Sequence, residues 1–448
     1  MKRLIAGLIL GVMLQPLQAL ASEPPPIHEF TLDNGLKVIV YEDHRASLVH
    51  THLWYRVGSN QEMPGHSGVS HALEHMLFNG SSKLCSNEAN QILQNLGGSQ
   101  NATTQNDATL YFHTVPPHAL GVSFEVLADQ MNTAHLAEAD WRGEREVVKS
   151  ERSESSDHHP LQRALEVPRR LALPASAAGN PVIGWRHDLD RLQTADLKHW
   201  YRRWYAPNNA VLIVAGDIAP QQVKQLAERY FGPVAGRPLP YSPSPIELDM
   251  PGERSIVQYL PQQIPLLYLA YNVPSLKTQT DPRTAPALEL IAEMLGGTNS
   301  SLLKAQLVRK EQLANTITVH YQAASPGDEL FNISALLDPE KADTIETVKT
   351  RLLALIESLK TTPPNPEDLE RARTRIMARR VFDQDVLENR LVQIGVLEIA
   401  GLSWRTEQAR LDTFKAITAQ DIQRTAQTYL VADRLTTSYA LPEETPHE

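Results

Sequence analysis

Between Arg237 and Gly252 the chain carries five prolines and almost no periodic apolar positions. Proline fixes φ and lacks a backbone donor, so neither a helix nor a central strand runs through such a stretch. The 448 residues are thereby divided near 28–236 and 253–444, with 237–252 as a linker. Each piece is long enough to bury its own core.

Strand and helix signals follow the same style on both sides. Thr31–Tyr41 alternates around Asn34-Gly35, a type I′ hairpin signal, and Ser47–Tyr55 continues as a strand. Helical periodicity covers Ser67–Asn79, Ser86–Leu96, Ala119–Leu136 and Ala139–Ser155, and Thr109–Val115 is a strand closed by Pro116-Pro117. Asp196-Leu197 opens a helix leading through Pro207-Asn208-Asn209 into the apolar strand Ala210–Ala215. Asp421-Ile422 opens another that leads, at the same offset, through Ala432-Asp433-Arg434 into a strand. This weak repeat predicts two similar domains of mixed helix and strand.

The first residues are not part of that fold. Lys2 and Arg3 precede an apolar run from Leu4 to Leu14, and Ala19-Leu20-Ala21 is a small-residue cleavage site, so residues 1–21 read as a signal peptide. The run is too short to span a bilayer, which leaves no membrane span in the mature chain. A periplasmic or secreted protein of a Gram-negative bacterium fits this leader. One cysteine, Cys85, allows no internal disulfide. The net charge of -10, with both signs interspersed, argues against nucleic acid as a partner.

Chemistry concentrates in Gly68-Val69-Ser70-His71-Ala72-Leu73-Glu74-His75-Met76. On a helix, at roughly 100° per residue, His75 lies about 40° from His71 and Glu74 about 60° on the other side. Two imidazoles at i and i+4 can chelate one zinc ion, and the glutamate lands beside it. Zinc lowers the pKa of water bound to it to about 7, which places Glu74 as the general base. The pattern H-x-x-E-H is a named zinc-enzyme motif.

A catalytic zinc needs a third protein ligand and an open position. Glu144 and Glu151, seven residues apart, share one face of a later helix. Spacing alone leaves both open: one is the ligand, and the other orients a ligand histidine. Glu146, Glu154, His50, His52, His66 and the pair His158-His159 read as solvated or structural. Asn101, after Gly97-Gly98-Ser99-Gln100, lies in a turn leading toward a strand and is a candidate for holding a substrate carbonyl, since extended peptides bind to exposed strand edges.

These segments together resemble the pitrilysin/insulinase family of zinc peptidases, the inverzincins, in its two-domain, processing-peptidase-like branch. The resemblance is carried by Val57-Gly58-Ser59 with Glu62, Gly68 to His75 with Phe78-Asn79-Gly80, and Asn101-Ala102-x-Thr104 with Asp107, Thr109 and Tyr111. Glu144-x6-Glu151, Pro181-Val182-Ile183-Gly184 and Tyr205–Ala210 complete it. It implies an α+β fold, an α/β sandwich of two similar domains, each a mostly antiparallel sheet covered by helices. It further implies one Zn2+ per chain held by His71, His75 and Glu151, Glu144 behind a ligand, and Asn101 and Ala102 beside a peptide substrate. Two such two-domain units close like a clamshell around an unfolded peptide.

The second half departs from the family where an arginine and a tyrosine are expected in a segment like L-R-E-x-x-G-L-A-Y. Leu313-Ala314 sets the register, and Val308 and Asn315 stand in their places, with Arg309 one position off. The resemblance therefore implies a homologous partner subunit that lacks the zinc motif but carries the arginine and tyrosine. The reading is a zinc endopeptidase subunit; the alternative is a non-catalytic peptide-binding or scaffold subunit of the same fold.

Overall fold

A computed structural model describes residues 27–262 and 264–443; the leader read at residues 1–21 lies outside them. Strands β1 (Ile27–Thr31), β2 (Lys37–Glu42), β3 (Val49–Tyr55), β4 (Ser99–Thr104), β5 (Thr109–Val115) and β6 (Ala210–Gly216) form one sheet in the order β1-β2-β6-β3-β5-β4. Neighbours run antiparallel except β2 and β6. The fully buried Ala210-Val211-Leu212-Ile213-Val214-Ala215-Gly216 lies inside the sheet because it has no polar face to offer water.

A second sheet holds β7 (Arg254–Leu260), β8 (Leu266–Val273), β9 (Thr316–His320), β10 (Glu329–Leu336) and β11 (Leu435–Pro442), in the order β7-β11-β8-β10-β9. Here β7 and β11 are the parallel pair. The order repeats β2-β6-β3-β5-β4 strand for strand, so β11 is the counterpart of β6, as the shared helix-to-strand offset predicts. Both sheets are mixed and mostly antiparallel, and the α+β expectation holds.

Helices α1 (Val69–Leu77), α2 (Glu88–Asn95), α3 (Leu120–Thr133), α4 (Glu138–Arg152), α5 (Pro160–Ala172), α6 (Arg186–Leu189), α7 (Thr194–Trp204) and α8 (Pro220–Tyr230) come from the first half. The second half adds α9 (Thr284–Gly296), α10 (Ile345–Thr361), α11 (Pro366–Asp385), α12 (Leu387–Ile399), α13 (Glu407–Lys415) and α14 (Ala419–Tyr429). Leu73, Met76, Phe124, Trp141, Trp200 and Leu212 meet in one core, and Leu269, Leu288, Ile291, Phe331, Leu352 and Ile422 in another.

The opposite faces of the sheets are covered by an exchange. Leu391 and Ile394 of α12 pack on Ile39, Trp54, Leu110, Val211 and Ile213 of the first sheet. Gly395 makes this possible, since a Cβ there would lie 2.3 Å from the Trp54 indole. In return Ala164 and Ala172 of α5 pack on Leu260, Leu266, Tyr268 and Ala270 of the second. Each half thus lends one helix to the other, across the proline-rich segment, which contains neither helix nor strand.

Two local expectations need correction. The first hairpin does not use a type I′ turn: Gly35 has φ +88°, but Asn34 keeps a negative φ. Gly35 N–H bonds back to Leu32 O, and Leu32 N–H to Leu36 O, which makes a three-residue loop with glycine in the left-handed position. The Asn34 side chain is engaged elsewhere, donating to Phe231 O at 2.7 Å and Val234 O at 2.9 Å. Asn101 does not lie in a turn either but within the edge strand β4, paired with Phe112.

Candidate active site

Helix α1 is set at its start by contacts the motif does not advertise. Gly68 opens it at φ +86°, and a Cβ there would lie 2.5 Å from Ile183 O. Only glycine meets both demands. The buried Glu62 carboxyl accepts from Gly68 N–H at 2.8 Å and Ser70 N–H at 2.9 Å, capping the helix N-terminus. Burial pushes its pKa up to about 8. Ser67 Oγ donates to Asp188 at 2.5 Å and accepts from Trp185 N–H at 2.9 Å.

From that start, Ala72, Leu73 and Met76 enter the core, and His71, Glu74 and His75 are turned toward α4 and β4. His71 Nε2 lies 3.7 Å and His75 Nε2 3.4 Å from the same oxygen of Glu151. One ligand atom from each of the three falls within 4.8 Å of the others. His75 Nδ1 faces Glu144 at 3.2 Å, and Asn79 donates to the other Glu144 oxygen at 3.1 Å. The structure thus separates the two carboxylates that spacing left open: Glu151 faces both imidazoles, and Glu144 stands behind His75.

The donor set suits zinc. Ligand bonds of about 2.0–2.1 Å in a tetrahedron put donor atoms roughly 3.3 Å apart, close to the 3.4 and 3.7 Å seen here. Three protein donors leave a fourth position, and the Glu144 contact leaves His75 Nε2 free to face Glu151.

The two histidines sit in different electrostatic surroundings. Burial, and then the neighbouring His75, hold His71 down at about 4, so it stays a neutral donor. Burial opposes protonation of His75 too, but hydrogen bonds to Glu151 and Glu144 win and hold it above its usual value. The bond to His75 keeps Glu151 below the usual carboxylate range. Burial raises Glu74, the direction a proton acceptor near neutral pH requires. Glu74 is 8% exposed, and Thr104 Oγ1 donates to it at 2.5 Å.

Thr104 ends β4, whose outer edge pairs with no described strand. Asn101 and Ala102 lie on this edge; Asn101 is exposed, and its side-chain oxygen accepts from Ala102 N–H at 2.9 Å. Thr104, Asn79 and Glu62 are site residues to which the sequence pattern assigned no role. Asn79 was the findable one, since 71, 75 and 79 continue a single i+4 row.

Two family models match the chain: Insulinase (Peptidase family M16) over residues 37–180, and Peptidase M16 inactive domain over residues 191–376. The chain belongs to the insulinase family. Zinc protease PqqE of Helicobacter pylori is 29% identical to it over 343 residues, 75% of either chain. The mitochondrial-processing peptidase subunit beta of Lentinula edodes is 23% identical over 416 residues, covering 89% of this chain and 86% of that one. The crystal structure of a protease from Helicobacter pylori superposes with a TM-score of 0.86 at 26% identity, over 93% of this chain and 100% of that one. The first half of the periplasmic protease PqqL from Escherichia coli shares the fold, with a TM-score of 0.78 at 18% identity, over 93% of this chain and 92% of that one.

Proposed function

We propose that this insulinase-family chain is the zinc-bearing subunit of an endopeptidase that hydrolyses peptides or unfolded segments. The observation that carries the reading is the convergence of His71, His75 and Glu151 within 4.8 Å, with Glu74 buried on the same helix. His71, His75 and Glu151 hold one zinc ion, whose bound form supplies Lewis acidity and lowers the pKa of water. Glu144, steadied by Asn79, fixes the ring of His75. Glu74 takes the proton from the attacking water and returns it to the leaving amine, with Thr104 holding its carboxylate in place.

The substrate lies as an added strand on the open edge of β4, passing Asn101 and Ala102. Export by the leader at residues 1–21 places the mature protein in the periplasm or outside the cell. Residues 28–236 form the zinc-binding domain, 237–252 the linker and 253–444 the homologous domain. The oxyanion donors come from a homologous partner subunit with the arginine and tyrosine that Val308 and Asn315 replace here.

The test is direct. Purified mature chain should carry about one zinc, and an unstructured quenched peptide should be cut internally in the presence of the partner. Chelator should abolish cutting, and zinc should restore it. A metal-free preparation that cuts equally well would sink the reading. The second reading, a non-catalytic scaffold subunit, is favoured by one finding: the model matched over residues 191–376 is the family's inactive domain.

A further inference from the structure

The last turn of α4 ends on two residues that point apart. Glu151 faces the histidines, while Arg152, buried at 4% exposure, turns toward α5 and the chain around Gly184. Its guanidinium donates to Gly184 O at 2.8 Å and to the two Glu166 oxygens at 3.2 and 2.8 Å. It also lies 5.6 Å from the centroid of the Trp185 ring.

Both ends of this clamp lead to something fixed. Gly184 is pressed against Ser67 and Gly68, where a Cβ would lie 2.5 Å from Ser67 O, and Trp185 N–H donates to Ser67 Oγ. The contacts therefore run from Arg152 to the residue that opens α1, the helix of His71 and His75. Glu166 lies on α5, which is seated on the second sheet.

Without such an anchor this turn is a poor place for a metal ligand. Here the chain leaves α-helical geometry directly after Arg152, widening into an i→i+5 turn over Ser153–Asp157. Glu151 itself is about half exposed, so little packing holds its side chain.

We infer that Arg152 is a positioning residue that sets the place of Glu151 relative to His71 and His75, and through Glu166 ties that place to the seat of α5 on the second sheet. The inference rests on the reading of Glu151 as a zinc ligand. A guanidinium suits the task because its rigid planar fork holds a carbonyl and both oxygens of a carboxylate at once, whereas an ammonium is a point charge on a flexible stem.

The experiment uses the full mature chain loaded with Co2+, whose visible absorption reports the ligand set. Three variants are compared: Arg152→Met, the charge-balanced double Arg152→Met with Glu166→Gln, and Arg152→Lys. The double variant guards against misfolding caused by an unpaired Glu166, and Arg152→Lys keeps the charge while losing the span to Gly184. Each folded variant should bind Co2+ roughly 10–100-fold more weakly than the parent, with an altered spectrum. A merely structural arginine would lower the melting temperature but leave the spectrum and affinity of the folded protein unchanged, and that result overturns the inference. A parent chain that binds no Co2+ overturns the zinc reading itself, so the two failures are told apart.

Discussion

Glu74 and Glu151 are both carboxylates beside the same two histidines, and their surroundings differ. Glu74 is buried and hydrogen-bonded by Thr104, and burial raises its pKa; Glu151 is half exposed and kept ionised by His75. Glu74→Gln should therefore keep the fold and the zinc while lowering kcat/KM by roughly 10²–10⁴-fold, the usual worth of a positioned acid–base group. Metal analysis beside peptide hydrolysis checks it, and activity above a few per cent would mean that another residue activates the water. His71→Ala, His75→Ala and Glu151→Gln should each lose most of the zinc. Glu144→Gln should only weaken binding, by roughly 10–100-fold, because it acts through the His75 ring. Chelator competition separates the cases, and full zinc in Glu151→Gln with loss in Glu144→Gln would exchange the two roles.

Strands and helices carry a pH dependence of their own, away from the metal site. His52 on β3 and His113 on β5 are buried, and burial holds each at about 3, against 6.5 when unperturbed. The unfolded chain therefore binds more protons than the folded one between those values. Stability contributed by the neutral rings is complete above pH 6.5 and is lost as the pH falls toward 3. By pH 5 the loss amounts to about 2 kcal/mol per ring. Urea midpoints at pH 7 and pH 5 should show this fall, and His113→Gln should make it smaller; an unchanged slope would mean that His113 is solvated in the folded state. How far such elements are legible in sequence depends on what specifies them. Helix α1 is legible because its chemistry and its apolar residues share the helical period. The edge strand β4 is not, because Ser99-Gln100-Asn101-Ala102-Thr103-Thr104 has no apolar alternation and owes its form to pairing with β5. The role of Glu62 is hidden for another reason: a cap supplied from outside the helix has no fixed spacing from it.

At the scale of the whole chain, the prolines at 237–252 mark where the backbone passes from one sheet to the other but say nothing of the helices that cross back. Nothing in the sequence pattern of α12 says which sheet it covers, and the answer, the first sheet, depends on Gly395 meeting Trp54. A first half expressed alone, residues 22–236, would leave Ile39, Trp54, Leu110, Val211 and Ile213 uncovered. It should aggregate or bind hydrophobic dyes, and co-expression with residues 237–448 should restore solubility. A stable, dye-free first half would show that α12 is dispensable. The same scale decides activity. Val308 has no polar side-chain atom and is packed against the second core, while the Asn315 amide nitrogen lies 3.5 Å from Leu337 O. Neither stands in for an arginine or a tyrosine at a developing oxyanion. Losing one such donor costs about 3–4 kcal/mol, so a homologous subunit that carries both should raise kcat by at least roughly 10²–10³-fold. The measurement is hydrolysis of an unstructured peptide by this chain alone and then with that partner at equal concentration. Full activity from this chain alone would overturn the partnership and make Arg309, exposed and one position from the family's arginine, the first residue to replace.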